Sequence, residues 1–288
     1  MYRFLLNIAL FFFLSITFAL GEEMDWSKAY CAKYEECREE RWTDIKQGLF
    51  EDIDLKNGEG IIELTTPKRA PDGAFVPISF KTHKLKDQED IISKIHLVVD
   101  MNPAPYSGTF KFATDIDQIE LSTRIRLDAY SKVRVIAETK KGNYFMAANF
   151  VRGSGGCAAP PLGDVDEMIA TAGKIKMKVK NIGKESGIAE AKIMILHPQF
   201  NGLQANQKTT EMIPAYYVEK FEVTYNDKMV MALESDITIS QDPTFRFNFP
   251  TKKGGKLKVV ANDTDGKEFT VIKEYAYKNN QLIEVALK

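Results

Sequence analysis

Cysteine is scarce in this chain of 288 residues, which has only Cys31, Cys37 and Cys157. Three cannot make a disulfide framework, and an odd number leaves one thiol over. Histidine is equally sparse: His83, His96 and His197 stand singly, no two at metal-ligand spacing, so each reads as a strand or loop residue. Neither sign of charge prevails, with 39 Lys and Arg against 40 Asp and Glu. That balance argues against nucleic acid as a partner. No phosphate-binding loop is present, because the one glycine-rich stretch lacks the Lys-Ser/Thr that would follow it. After the first 21 residues no apolar run reaches bilayer-spanning length, so no membrane partner is expected of the mature chain. No general base, metal set or nucleophile-base pair accompanies Cys157. We therefore expect no cofactor and no enzymatic activity.

What is present begins at the N-terminus. Arg3 is the only early charge, Leu5 to Leu20 is a nearly unbroken apolar run, and Ala19-Leu20-Gly21 offers small residues before Glu22-Glu23. This is the layout of a secretory signal peptide cleaved after Gly21. An uncleaved anchor is the alternative, since the run is only marginally short of spanning a bilayer. Export would place the cysteines in an oxidising compartment. Cys31 and Cys37 are close enough in sequence to pair, but not on one continuous helix. Six residues of helix separate α-carbons by about 9 Å and turn the side chains about 120° apart, whereas a disulfide needs α-carbons within about 7 Å. The charged, helix-prone residues Glu35 to Glu40 thus require a break near Tyr34 if the bridge exists. Cys157 would then be the lone thiol.

That thiol sits in Arg152-Gly153-Ser154-Gly155-Gly156-Cys157-Ala158-Ala159-Pro160-Pro161. Gly153, Ser154, Gly155 and Gly156 read as a flexible arm, because glycine has no side chain to pack and no steric bar to positive φ. The prolines behind form a stiff, extended stop. On this reading Cys157 is exposed and presented to another molecule. An interdomain linker with an incidental cysteine has the same composition.

Elsewhere the pattern has period two. A short helical segment with Trp42, Ile45 and Leu49 on one face precedes strand-like runs at 61–66, 74–81, 91–101, 109–114, 119–127, 132–138 and 144–151. Pro77 confines its strand to an edge or a bulge. After the acidic, linker-like stretch 163–171, further runs follow at 174–180, 188–196, 215–225, 228–233, 244–249, 256–261 and 267–275, with tight turns at Asn226-Asp227 and Asp265-Gly266. Asp263-Thr264-Asp265-Gly266 starts like a calcium loop but lacks the remaining acidic ligands, so it reads as a hairpin turn. The expected fold is all-β: two immunoglobulin-like antiparallel sandwiches with a short N-terminal helical segment.

Particular stretches carry a resemblance. Asp72-Gly73-Ala74-Phe75-Val76-Pro77, Ile95 to Pro103, Ser122-Thr123-Arg124-Ile125-Arg126 and the Gly-Gly-Cys arm resemble SoxY, the sulfur-carrying subunit of the bacterial thiosulfate-oxidising system. His197-Pro198, Phe221 to Asn226, Asp242 to Phe247 and Asp263 to Gly266 resemble SoxZ. The order resembles the fused SoxYZ-like carriers associated with quinoprotein dehydrogenases. The resemblance implies a periplasmic protein in which Cys157 carries sulfur intermediates covalently between enzymes. It divides the chain into a signal peptide (1–21), a SoxY-like sandwich with its helix (22–152), an arm and linker (153–172) and a SoxZ-like sandwich (173–288). Expected partners are periplasmic sulfur-oxidation enzymes or a quinoprotein dehydrogenase system, with a small sulfur-containing cargo. In SoxY the arm ends the chain as Gly-Gly-Cys-Gly-Gly; here Ala158-Ala159-Pro160-Pro161 continues, and the thiol is tethered on both sides. A non-covalent accessory module for a quinoprotein dehydrogenase or its cytochrome is the second reading.

Overall fold

In a computed structural model, residues 35–113, 118–182, 187–251, 253–279 and 281–285 are described. The expected signal peptide and Cys31 lie outside them. Each strand-like run folds as a strand, and its period-two alternation sets the layering. In β3 (Val76–Thr82) Val76, Ile78 and Phe80 face inward, while Pro77 and Ser79 face outward. The first half holds β1 (Leu55–Asn57), β2 (Ile62–Thr65), β3, β4 (Ile92–Val99), β5 (Tyr106–Phe112), β6 (Glu120–Ile125), β7 (Ser131–Thr139) and β8 (Tyr144–Val151). The second half holds β9 (Ile175–Ile182), β10 (Ile188–Ile195), β11 (Val218–Tyr225), β12 (Lys228–Ser235), β13 (Thr244–Pro250), β14 (Gly255–Asp263), β15 (Glu268–Lys278) and β16 (Gln281–Val285).

The halves do not merely touch. One sheet runs β1-β8-β7-β4-β5-β12-β11-β14-β15-β16 and the facing sheet β2-β3-β6-β13-β10-β9, so both cross from one half into the other. The joins are β5 with β12, from Met231 opposite Phe112 to Ser235 opposite Gly108, and β6 with β13. The immunoglobulin-like sandwiches are thus fused edge to edge over one core. Its aromatic rings alternate between sheets as they pass from the first half to the second: Phe80 to Phe110 at 5.9 Å, Phe110 to Phe245 at 6.2 Å and Phe245 to Phe221 at 4.8 Å. Pairing is antiparallel except that β1 lies parallel to β8.

Helix α1 (Glu35–Phe50) lies on the outer face of the ten-stranded sheet. Trp42, Ile45 and Phe50 pack on Val98 and Ile136. Leu49 is 41% exposed and does not share the buried face expected of it, where Phe50 packs instead. Beneath the helix, Arg134 grips Asp100 through three contacts of 2.8–3.0 Å and stacks 3.7 Å under the Trp42 ring. Pro77 is not on an edge strand, since β3 lies between β2 and β6. It is tolerated because β2 ends opposite Ser79, which leaves β3 locally unpaired on that side at Pro77. The stretch 163–171 is not a plain linker. Asp164 accepts a hydrogen bond from the Glu167 N–H and caps α2 (Val165–Thr171), whose Val165 and Met168 pack on Phe200, Ile213 and Tyr216. Asn226 and Asp227 both have positive φ, as a two-residue type I′ hairpin requires, and Gly266 closes the β14–β15 hairpin at φ +78°. Among the described residues no helix is long and apolar enough to cross a membrane.

Candidate functional site: a buried thiol at the junction of the two halves

Cys157 is not disulfide-bonded, and it is buried, with 2% of its surface exposed. This corrects the expectation of an exposed thiol on a mobile arm. Gly153, Ser154, Gly155 and Gly156 form a folded strap. Arg152 exchanges backbone hydrogen bonds with the segment around Arg69, the Gly155 N–H donates to Asp128 O (2.9 Å) and the Gly156 N–H donates to Leu127 O (3.0 Å). Steric fit explains the glycines better than flexibility. A Cβ on Gly156 would lie 2.0 Å from Gly73 O, and one on Gly153 would lie 2.9 Å from the Leu127 side chain. Gly73 belongs to the Asp72-Gly73 turn, in which Asp72 accepts from the Ala74 N–H. Three backbones therefore pass where side chains have no room, and Gly155 supplies the positive φ (+74°) that turns the strap inward.

Groups from both halves close over the strap. Arg126, itself buried, donates to Gly156 O (3.0 Å) and to Gln199 O (3.2 Å), tying strap to second half. Burial pushes its pKa down from the ordinary arginine value, opposed by the neighbouring Cys157 and Asp72. Asn201 Nδ2 donates to Cys157 O (2.7 Å) and Gln204 Nε2 donates to Ala159 O (2.8 Å). The loop bearing these amides is anchored at His197. Its N–H donates to Asp242 Oδ1, and its Nδ1 accepts from the Gln199 N–H (3.3 Å). Its ring lies 4.4 Å from that of Tyr216 and its Nε2 lies 3.7 Å from Asp263 Oδ2. Burial holds His197 down at about 4, so it is neutral over the physiological range.

The other single histidines are apart from this site. His83 meets Glu63 on the surface, and His96 bridges Thr109 and Glu138 within the sheet. Among the described residues no three His, Cys, Asp or Glu side chains are grouped to hold a metal ion. Cys37 is disulfide-bonded and buried beside Met101 and Ala129. Because Cys31 lies outside the described residues, their pairing stays a proposal. Sequence reasoning passed over Arg126, Gly73, Gln199, Asn201 and Gln204. Two of these had a signal, since Gly73 and Arg126 fall within the stretches that carry the SoxY resemblance.

The site is a buried cysteine at the junction of two fused β-sandwich modules, its strap held by side chains of both. Comparison with known proteins specifies the kind. The family profile of the sulfur oxidation protein SoxY matches residues 46–157, ending on Cys157, and that of the sulphur oxidation protein SoxZ matches residues 176–273. The chain belongs to the SoxYZ-like sulfur-oxidation proteins, with both modules fused in one polypeptide. Among solved structures it is similar to the sulfur carrier protein SoxY from Chlorobium limicola f thiosulfatophilum, at 20% identity and TM-score 0.35, covering 44% of this chain and 99% of that one. A putative superoxide reductase from Thermotoga maritima is similar at 12% identity and TM-score 0.29, covering 36% and 96%. A search of the curated proteins found no match.

Proposed function

We propose that the protein is a periplasmic thiol carrier that holds sulfur-containing intermediates covalently on Cys157 and presents them to partner enzymes. The observation that supports it most is the position of Cys157: a cysteine outside any disulfide, at the end of the SoxY match, next to the Gly156 carbonyl that the Arg126 guanidinium holds. The thiolate is the form that reacts at sulfur. Attack of that thiolate on the outer sulfur of a partner's persulfide would form an S–S bond on Cys157 and release the partner's thiolate, with no net oxidation. Delivery would reverse the exchange. The strap must leave its seat for either step. The five hydrogen bonds from Gly155, Gly156, Arg126, Asn201 and Gln204 are each worth about 1 kcal/mol net, so opening costs a few kcal/mol and a docking partner can supply that. The signal peptide, the Cys31–Cys37 bridge and the quinoprotein dehydrogenase as partner belong to the same proposal.

Burial of the thiol favours a second reading, in which Cys157 is a packing residue and the fused sandwiches are a non-covalent accessory module for that dehydrogenase or its cytochrome. Intact-mass measurement of protein exported by cells oxidising reduced sulfur separates the two. The carrier reading expects adducts of sulfur mass, lost together with partner-dependent activity in Cys157→Ser. Full activity of Cys157→Ser in cells would overturn it in favour of the accessory module.

A further inference from the structure

We propose that the outer face of the six-stranded sheet is a docking surface for an acidic patch on a partner protein. The strand registers define it. One row runs Thr65, Ser79, Ser122, Arg246, Lys192, Lys178 across β2, β3, β6, β13, β10 and β9. The next runs Pro77, Arg124, Thr244, Met194, Lys176, with Arg124 reaching the Thr244 hydroxyl. The two rows hold five cations and no carboxylate. The adjacent row is mixed, with Glu63, Glu120 and Glu190 beside Lys81 and Lys180, and Glu190 lies 3.8 Å from Arg246. Arg246, Lys192 and Lys178 stand directly side by side and exposed, an arrangement that costs the isolated fold stability.

The opposite face of the molecule shows that this is not the chain's general habit. On the ten-stranded sheet Lys220 faces Glu234 and Lys256 faces Glu274 across strands, and Lys111 meets Glu234 at 2.6 Å. Lysines on β9 alone would be explained as protection of an edge strand. That account does not reach Arg246 on β13 or Arg124 on β6, both interior strands. Arg124, Lys192 and Arg246 line a shallow groove of about 670 Å³ together with Ser79, Ser122 and Thr244. They span four adjacent strands, about 14 Å, which is the scale of a protein surface rather than of one inorganic anion. The two rows contain no aromatic ring on which a base could stack, and nearby Phe75 is already covered by the Arg124 guanidinium at 5.3 Å, so an acidic protein fits better than a nucleic acid. Arg124 comes from the first half and the other four cations from the second, so the patch crosses the join. Arg124 is two residues before Arg126, about 7 Å along the chain, so a partner seated here lies next to the strap, whatever the role of Cys157.

The test measures fluorescence anisotropy of a labelled poly-glutamate peptide with the full mature chain. The expected result is salt-sensitive binding, weakened at least about tenfold by Lys178→Glu/Lys192→Glu/Arg246→Glu and less than about twofold by Lys220→Glu/Lys256→Glu/Lys258→Glu on the other face. Lys178→Gln/Lys192→Gln, which adds no acidic charge to the sheet, should weaken binding partway while leaving the circular dichroism spectrum unchanged. Equal losses from the two triple variants, or no binding by the wild type, would overturn the proposal. Tighter binding of a single-stranded oligothymidylate, abolished by the first triple variant, would transfer the surface to nucleic acid and overturn it too.

Discussion

Gly156 has space for a hydrogen and nothing larger, because Gly73 O occupies the position of a Cβ. Gly156→Ala should therefore unseat the strap, at a cost of about 1–3 kcal/mol as in other overpacked sites. The measurable result is alkylation of Cys157 under native conditions, accelerated about five- to 150-fold over wild type, since about 1.4 kcal/mol is a factor of ten. His197 makes a second prediction at this scale. Asp263, Lys267, Tyr216 and Gln199 surround it, and burial holds its pKa at about 4 against 6.5 unperturbed. The folded state takes up this proton only near pH 4, whereas an unfolded chain takes it up near 6.5. The stabilisation is therefore complete above pH 6.5 and lost as the pH falls towards 4, by at most about 3 kcal/mol. Urea unfolding at pH 7 and pH 4 should show a drop for wild type larger by up to that amount than for His197→Gln.

At the scale of elements, the joins between halves bear the load. Phe245 touches Phe110 of the first half and Phe221 of the second. Phe245→Ala should cost about 3–5 kcal/mol, and calorimetry should still show a single transition, because neither half has a separate core. All fourteen strand-like runs in the sequence fold as strands, since alternation of apolar residues reports which face is buried. Alternation does not report which strands are neighbours, so the continuity of both sheets across β5–β12 and β6–β13 was not legible. Three-residue β1 and five-residue β16 are too short for a periodic signal. The strap misled for a different reason. Glycine chosen for freedom and glycine chosen for close approach are the same letter, and what distinguishes them here is Gly73 and Leu127, distant in the chain. The acidic stretch before α2 concealed a helix whose apolar contacts, Phe200 and Tyr216, also come from far along the sequence.

For the whole molecule, shared sheets mean that the chain between the halves is not what holds them together. A protease site inserted after Leu162, which is 73% exposed, should give two fragments that still co-elute from a sizing column at the position of the uncut chain. Separation without denaturant would contradict the shared core. If Cys157 carries sulfur as proposed, the strap, fixed at Val151 by β8 and at Val165 by α2, also sets the aperture of the receiving partner. Cys157 is six residues from the nearer anchor, so even fully drawn out it travels no more than about 20 Å. It arrives at the bend of a doubled chain. A single tail can thread a narrow bore, but a doubled chain needs an opening two backbones wide, about 10 Å or more at the spacing of adjacent extended segments. A partner that serves this thiol should have an open cleft in place of a tunnel.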